Sequence, residues 1–344
     1  MTNNHAVKAT QSQFNPHELT YFDCVALSSK WFLHGKKELT STFLSGFRSV
    51  AGGWCDLPVT QETPIASGID RDGYPVELSV TQKQGEIVAL RWLAQAGSID
   101  QADQTPEIFH RLVQNLPPVA GTKRWRSLLQ ELIDCDIDTT KSYFAWFGLE
   151  ASLNLAQSPT PKIYINPWAI QRLSCSEVIA LIATEVCGRP RSRQALAMLT
   201  DAFDTARPLI IGVNFRPGDM PPEAKLYFVA HLENSSELLQ RLDQLDPILS
   251  ARFRALFSDK LEVREVHIAL SLDSLEGARL FKVNLFMGGQ NLGHARGSLS
   301  SVLNLLQNSQ IVPVLEPDHC DSVEVINFIG LDSNKLDVYY RPWR

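Results

Sequence analysis

Polar and apolar residues alternate over short stretches that come in pairs along most of the chain. In the first pair, residues 75–81 alternate strictly, a polar turn covers 82–85, and 86–93 resumes as a mostly apolar run. Alternation with a period of two residues places successive side chains on opposite faces of a β-strand. A short polar break between two such runs is typical of a hairpin, so this segment predicts an antiparallel pair of strands.

The same unit recurs four more times. The predicted strand pairs are 143–150 with 162–165, 208–215 with 225–231, 263–272 with 280–286, and 323–329 with 335–340. Five hairpins amount to ten strands. An open antiparallel sheet of that width would leave two unpaired edges, and closure into a barrel removes them.

Between the hairpins, the apolar residues follow a helical spacing. Such stretches lie at 106–116, 127–133, 176–184 continuing into 193–206, 236–256 and 299–306, and residues 1–70 read as helix and loop with an apolar pattern at 40–50. A solenoid or a closed barrel could produce this order, and the edge argument favours the barrel. We predict an α+β fold in a single domain: residues 1–70 form an N-terminal helical and loop part, and 71–344 form five α-α-β-β units whose ten-stranded antiparallel β-barrel has its helices outside.

The composition narrows the class of protein. The 344 residues are 44% hydrophobic with a formal net charge of −6, and a net acidic chain without a block of like charges lacks the footprint of nucleic-acid binding. No apolar run approaches the roughly 18 residues of a membrane span, no secretory signal is visible, and the six cysteines lack metal or disulfide spacing. We expect a cytoplasmic protein, monomer or homodimer, that binds neither nucleic acid nor membrane.

The second strand of each predicted hairpin carries basic or phenolic residues at alternate positions. In a closed sheet one face of these strands lines the lumen, where cations are costly unless an anion or compensating carboxylates lie among them. Ammonium, guanidinium and phenol groups match the acceptor oxygens of a diphosphate. The alternative is that these side chains face solvent, as in many half-exposed sheets. The residues are Arg91, Lys162 with Tyr164, Lys225 with Tyr227, Lys282 with Asn284, and Tyr339 or Tyr340.

Taken in order, these residues resemble the ABBA-type aromatic prenyltransferases, and in particular the dimethylallyltryptophan synthase family of indole prenyltransferases. The resemblance runs from about residue 70 to the C-terminus. It implies a prenyltransferase barrel and an enzyme that moves a dimethylallyl or longer prenyl group from an allylic diphosphate to an indole-containing small molecule by Friedel–Crafts-type substitution. It also implies catalysis without a metal or other cofactor. The matching motifs are Asp72-Gly73-Tyr74-Pro75-Val76-Glu77-Leu78-Ser79, Arg91, Pro161-Lys162-Ile163-Tyr164, Lys225-Leu226-Tyr227 and Val338-Tyr339-Tyr340-Arg341-Pro342.

The resemblance further implies roles for individual residues. Glu77 would accept a hydrogen bond from the indole N–H, and it could remove a proton itself or orient the ring for another base. Two positions depart from the family pattern, because Glu223 stands where fungal members tend to have Arg and Asn284 where a Tyr is often found. The expected diphosphate ligands are Arg91, Lys162 and Lys225, to which we add Lys282, and the expected shield of the allyl cation is Tyr164, Tyr227 and Tyr339.

Other interpretations remain open. The acceptor could be a peptide or a non-indole aromatic compound, or the barrel could bind an anionic lipid without catalysis. Glu77 could be an exposed strand carboxylate that pairs with a lysine. Of the tryptophans that an aromatic chamber could use, Trp92 should point away from Arg91, and we expect Trp92, Trp146 and Trp168 to be core residues.

Two further signals carry less weight. Asp134, Asp136 and Asp138 lack the glycine and the final glutamate of a calcium-binding EF-hand loop, so we expect a solvated turn and no metal site. His267, on a first strand, is the one histidine that merits inspection, and it is more often a core or lumen residue than a metal ligand.

Overall fold

Ten antiparallel strands close into a barrel. The computed structural model describes residues 19–59, 67, 69, 74–84, 86–114, 116–153, 158–187, 203, 205–256, 265–272, 280–291, 325–332 and 334–340. Each strand pairs with its neighbours in the chain, and β1 pairs with β10 to complete the ring, which confirms the predicted barrel. The strands are β1 (Val76–Lys83), β2 (Glu86–Gln95), β3 (Ala145–Ser152), β4 (Thr160–Ile165), β5 (Arg207–Asn214), β6 (Glu223–His231), β7 (Glu265–Ser271), β8 (Leu280–Asn291), β9 (Val325–Leu331) and β10 (Lys335–Tyr340).

Helices occupy those connections between hairpins that the structure describes, as predicted. The segment expected to be one helix at 236–256 is two helices, because Pro247 lacks an N–H and the Asp246 carboxylate accepts a hydrogen bond from the Leu249 N–H instead. The helix predicted at 299–306, and nearly all of that at 193–206, lie outside the described residues. The described α-helices are α1 (Tyr21–Phe32), α2 (Lys37–Ala51), α3 (Thr105–Gln114), α4 (Thr122–Asp134), α5 (Cys175–Cys187), α6 (Ser235–Leu245) and α7 (Pro247–Leu256).

Alternation along the strands separates a core from a lumen. On β1, Val76, Leu78 and Val80 face outward and are fully buried. They belong to one continuous apolar cluster that includes residues of α2 and of the other strands. Trp92 belongs to this core, as predicted, and donates its indole N–H to the Phe43 carbonyl at 3.0 Å. The core therefore lies between the barrel and its helices.

The opposite face of each strand lines the barrel interior. A second, smaller apolar cluster lies there, separate from the outer core; it comprises Ile69, Tyr143, Trp146, Tyr164 and Ile210. None of the described helices combines the length and apolar character needed to cross a bilayer. The lumen-facing positions carry the polar and charged residues that the sequence singled out.

Candidate active site

The lumen contains two adjoining chambers of different character. One, the apolar chamber, has a volume of about 320 Å³, and the other, the polar chamber, about 310 Å³. Both are lined by Arg91, Tyr164, Tyr227 and Tyr339. We call these four residues the boundary layer, because they separate the two spaces.

All four predicted diphosphate ligands line the polar chamber. Lys162 is only 6% exposed, and Arg91 and Lys282 are similarly buried. The side chain of Lys225 is 12% exposed. The alternative in which these cations face solvent is therefore wrong, since they converge from β2, β4, β6 and β8 on one enclosed space.

Carboxylates that sequence reasoning did not single out share this space. Glu150 accepts hydrogen bonds from Lys162 at 2.8 Å and from Arg91 at 3.1 Å. Asp337 pairs with Lys282 and accepts a hydrogen bond from the Thr81 hydroxyl. The described lining residues of the chamber carry two more cations than carboxylates: Arg91, Lys162, Arg216, Lys225, Lys282 and Lys335 against Glu150, Glu223, Asp332 and Asp337.

Glu223 illustrates how the cations are compensated. It stands where the family resemblance would place an arginine, and its carboxylate lies 3.6 Å from Lys225 and 3.5 Å from Arg216. It also accepts a hydrogen bond from the Asn214 amide. One cation expected from the family pattern is thus replaced by a carboxylate, while Arg216 brings a guanidinium to the same corner.

The lysines of the polar chamber differ in their proton affinity. Burial, reinforced by repulsion from Arg91, lowers the pKa of Lys162 to about 8. Burial also lowers the pKa of Lys225 to about 8, although Glu223 favours its charged form. Burial acts in the same direction on Lys282, but Asp337 and Tyr339 together outweigh it and raise the pKa of Lys282 above its ordinary value.

The boundary layer depends on a glycine. Tyr164 and Tyr227 lie with ring centroids 6.0 Å apart, and Gly212 of β5 pairs with Tyr164 across the sheet. A Cβ at position 212 would lie 2.9 Å from the Tyr164 ring and 3.0 Å from the Tyr227 ring. Only glycine lets both rings pack over this strand without a shift.

Tyr339 completes the boundary layer. Its hydroxyl accepts a hydrogen bond from Arg91 at 3.4 Å and another from Lys282. Burial raises the pKa of Tyr339, so it stays a neutral phenol. The neighbouring Tyr340 is buried in the outer core, which decides between the two tyrosines that the sequence left open.

Glu77 lies in the apolar chamber. It is 4% exposed, so its interpretation as an exposed strand carboxylate is wrong. Its Oε2 accepts a hydrogen bond from the Asn327 amide at 3.0 Å. The pairing of β9 with β10 shifts register between Tyr339 and Tyr340 and leaves Asn327 without a partner in the ladder, and such bulges re-aim side chains.

Aromatic side chains form opposite parts of the apolar chamber wall. Tyr143 stacks on Trp146 with centroids 4.1 Å apart, and Phe286 packs on Phe328 at 5.2 Å. Sequence reasoning missed Tyr143 and both phenylalanines and assigned Trp146 to the core. Trp146 and Glu150 are an even number of residues apart on β3, so their side chains face the same side of the strand. This spacing is a signal that could have placed both in the lumen.

Several other predicted residues can now be located. Trp168 is neither core nor chamber, because it is 50% exposed and donates its indole N–H to the Pro208 carbonyl. Asn284 lines the apolar chamber, where its Oδ1 has no hydrogen-bond partner among the residues that the structure describes. Asp134, Asp136 and Asp138 lie at the end of α4 and in the turn after it, where Asp136 pairs with Arg172 at 2.6 Å.

The motif residues Asp72, Gly73, Arg341 and Pro342 lie outside the described part of the chain.

One lumenal pair had no predicted role. Glu265 and His267, both on β7, line the apolar chamber, and His267 Nε2 lies 3.2 Å from a Glu265 oxygen. His267 is a lumen residue, one of the two places the sequence allowed for it.

Comparison of the fold with solved structures identifies it. The chain is similar to 5-dimethylallyl tryptophan synthase from Streptomyces coelicolor in complex with DMASPP and Trp, with a TM-score of 0.65 at 16% identity over 94% of this chain and 95% of that one. The fold is the prenyltransferase barrel. The same barrel occurs in PriB bound to product diphosphate, with a TM-score of 0.63 at 18% identity over 95% and 99% of the two chains. AnaPT from Neosartorya fischeri has a TM-score of 0.63 at 16% identity over 94% and 91%.

No protein-family model and no curated protein sequence matches the chain. The likeness to the prenyltransferase barrels is therefore one of structure, and at these identities it establishes the fold. The function has to be inferred from the side chains that line the lumen.

Proposed function

We propose that this prenyltransferase barrel is an aromatic prenyltransferase, which transfers a dimethylallyl or longer prenyl group from an allylic diphosphate to an indole-containing small molecule. The observation that carries the proposal is the division of the lumen into a cationic and an aromatic chamber that meet at the boundary layer. An allylic diphosphate has the same two parts, a charged head and an apolar tail. The bond that breaks joins them and would lie at the boundary layer.

The polar chamber would take the diphosphate. Arg91, Lys162, Lys225 and Lys282 supply charged donors to its oxygens, and their surplus of positive charge stabilises the negative charge that develops on the leaving group. Before the donor binds, carboxylates such as Glu150 satisfy the same cations. With Arg216 and Lys335, the described lining of the chamber has six cations. They could neutralise the diphosphate charge as a divalent metal would, so we expect activity without a metal.

The boundary layer would receive the allyl cation. Tyr164, Tyr227 and Tyr339 line both chambers, so their rings would surround the point where the C–O bond breaks, and π faces attract a cation. Water must be kept from this cation until the acceptor carbon attacks it. The apolar lining around the boundary layer favours that exclusion.

The apolar chamber would hold the acceptor. An indole N–H can only donate a hydrogen bond, and the Glu77 carboxylate, fixed by Asn327, is the acceptor suited to it. A carboxylate there increases the electron density of the ring as it attacks. The two aromatic pairs, Tyr143 with Trp146 and Phe286 with Phe328, offer walls for the ring.

The first experiment tests transfer itself. The protein is incubated with dimethylallyl diphosphate, or with a longer allylic diphosphate, and a panel of tryptophan, tryptophan derivatives, an indole-containing peptide and a non-indole phenol. We expect mass spectrometry to detect one added prenyl group on an indole compound, with and without a chelator. No mass gain on any acceptor, together with binding of anionic lipid, would favour the non-catalytic barrel.

A second arm separates the acceptor classes. Glu77→Gln should impair transfer to indoles but leave transfer to an acceptor without an indole N–H unchanged. Equal impairment of both would show that Glu77 does not act through the indole nitrogen. Prenylation of the phenol alone would favour the non-indole alternative.

A further inference from the structure

A carboxylate and an imidazole face the apolar chamber together on β7. His267 Nε2 is 3.2 Å from Glu265 Oε1. The imidazole ring also packs against the Phe328 ring, with centroids 4.7 Å apart. Two contacts thus fix its orientation, while its side chain keeps 17% of its surface exposed. A base held by a second group in this way has the arrangement used for proton transfer.

The barrel order sets this pair across the lumen from Glu77. Between β1 and β7 lie β8, β9 and β10 on one side and five strands on the other. Both Glu77 and His267 line the same chamber. An indole whose N–H points to Glu77 therefore presents part of its carbon edge to the opposite wall, where His267 lies.

The substitution needs a base at that edge. The C–O bond of the donor breaks and its electron pair leaves with the diphosphate; a π pair of the ring then forms the new C–C bond to the allyl cation. The ring carbon now holds both a prenyl group and a hydrogen. Loss of that hydrogen as a proton returns the C–H electron pair to the ring and restores its aromaticity.

We propose that His267, oriented by Glu265, accepts this proton; the inference rests on the proposed function. The proton moves to an imidazole nitrogen, and the resulting imidazolium is stabilised by the Glu265 carboxylate and later releases the proton to solvent. Glu77 is less suited to the task, because it would already accept the indole N–H and is held by Asn327. The lysines face the polar chamber, on the other side of the boundary layer.

The test uses an indole acceptor carrying deuterium at the carbon that receives the prenyl group. For His267→Gln, we expect product formation to fall on the order of 100-fold and a primary isotope effect to appear that the wild-type protein lacks. Affinity for a non-ionising thiolodiphosphate analogue should not change. His267→Phe, which keeps the aromatic contact with Phe328, should behave in the same way and guards against a variant that fails to fold.

Matched variants separate proton transfer from packing. His231 lies 3.9 Å from the same Glu265 carboxylate but is 65% exposed, so His231→Gln should retain the wild-type rate. Glu265→Gln should lower kcat about tenfold, a part of the full contribution of a positioned base, and leave the acceptor KM unchanged, whereas a purely structural role would alter both.

Two outcomes have different meanings. An active wild-type protein whose His267→Gln variant keeps the full rate without an isotope effect overturns the assignment of the base. A wild-type protein that prenylates no acceptor overturns the proposed function, and this inference with it.

Discussion

The two chambers of the lumen share most of their strands but are stabilised in different ways. In the polar chamber, oppositely charged side chains form ion pairs, as Glu150 does with Lys162 and Arg91. In the apolar chamber, aromatic rings pack face to face or at an angle, and the Glu77 carboxylate is held by a neutral amide.

The change from one chamber to the other occurs within two residues along a strand. On β4, Lys162 faces the polar chamber and Tyr164 the boundary layer. On β6, the order is Lys225, Tyr227 and then Val229 in the apolar chamber. Two residues of a strand span roughly 7 Å. The geometry of the strand therefore sets the distance between each lysine and the tyrosine that follows it on the same face.

The largest effect should come from removing a cation of the polar chamber. In Lys162→Met, Arg91 is left as the hydrogen-bond partner of Glu150 among the described residues, so the donor loses one cation and competes with Glu150 for another. We expect affinity for a thiolodiphosphate analogue, measured by calorimetry, to fall on the order of 100-fold. Lys36→Met is the control, because its ammonium donates to the Leu153 carbonyl and lines neither chamber. Wild-type affinity in Lys162→Met would remove the diphosphate assignment.

Removing the Glu77 carboxylate from the apolar chamber should have the opposite profile. Glu77→Gln keeps the size of the side chain and its contact with Asn327 but weakens the acceptor for an indole N–H. We expect turnover on indoles to fall roughly 10- to 100-fold while affinity for the donor analogue is unchanged. Glu86→Gln, the same change at an exposed position of the same hairpin, should have no effect. Equal losses in donor affinity and turnover would contradict the separation of the two chambers.

The lysines predict a pH dependence confined to the polar chamber. Burial lowers the pKa of Lys162 and Lys225 to about 8, and only the charged amine attracts the diphosphate. Affinity for the donor analogue should thus be full well below pH 8 and fall as the pH rises through 8, by up to about tenfold per pH unit for each lysine. The profile of Lys162→Met should be flatter. Constant affinity up to pH 10 would mean that both amines keep their protons in the apo chamber.

The smallest effect should come from the boundary layer. In Gly212→Ala the new Cβ meets the rings of Tyr164 and Tyr227, and one of them must move. We expect a loss of about 1–3 kcal/mol in the free energy of unfolding and a several-fold rise in the ratio of prenyl alcohol to prenylated product. Gly53→Ala, with no atom within 4 Å of the added Cβ, controls for the substitution. An unchanged product ratio would argue against these tyrosines as a shield.

The fold could be predicted because alternation is a property of the strand itself. The parity that places Lys162 and Tyr164 on one face and Ile163 on the other is visible in the sequence, and the structure places Ile163 in the outer core. The break at Pro247 was visible too, and was missed because the apolar spacing continues through it.

Other features of the site depend on contacts that no local pattern encodes. Asn327 reaches Glu77 because of a register shift between β9 and β10, and the sequence does not show where the pairing of two strands changes register. Glu150 and Asp337 also face the lumen, but the contact of Glu150 with Arg91 and that of Asp337 with Lys282 join different hairpins. Attention to the second strands alone also left the first-strand pair Glu265 and His267 unexplained.

The meander order of the barrel leaves a single long-range seam, where β1 meets β10. The hydrogen bond from Thr81 to Asp337 crosses that seam, and the contact of Arg91 with Tyr339 spans it. Closing so long a loop is the entropically expensive step of assembly, and the polar chamber exists only once this seam is complete. A bound donor would therefore contact residues on both sides of the seam and stabilise the pairing of β1 with β10. A saturating concentration of the thiolodiphosphate analogue should then slow global unfolding.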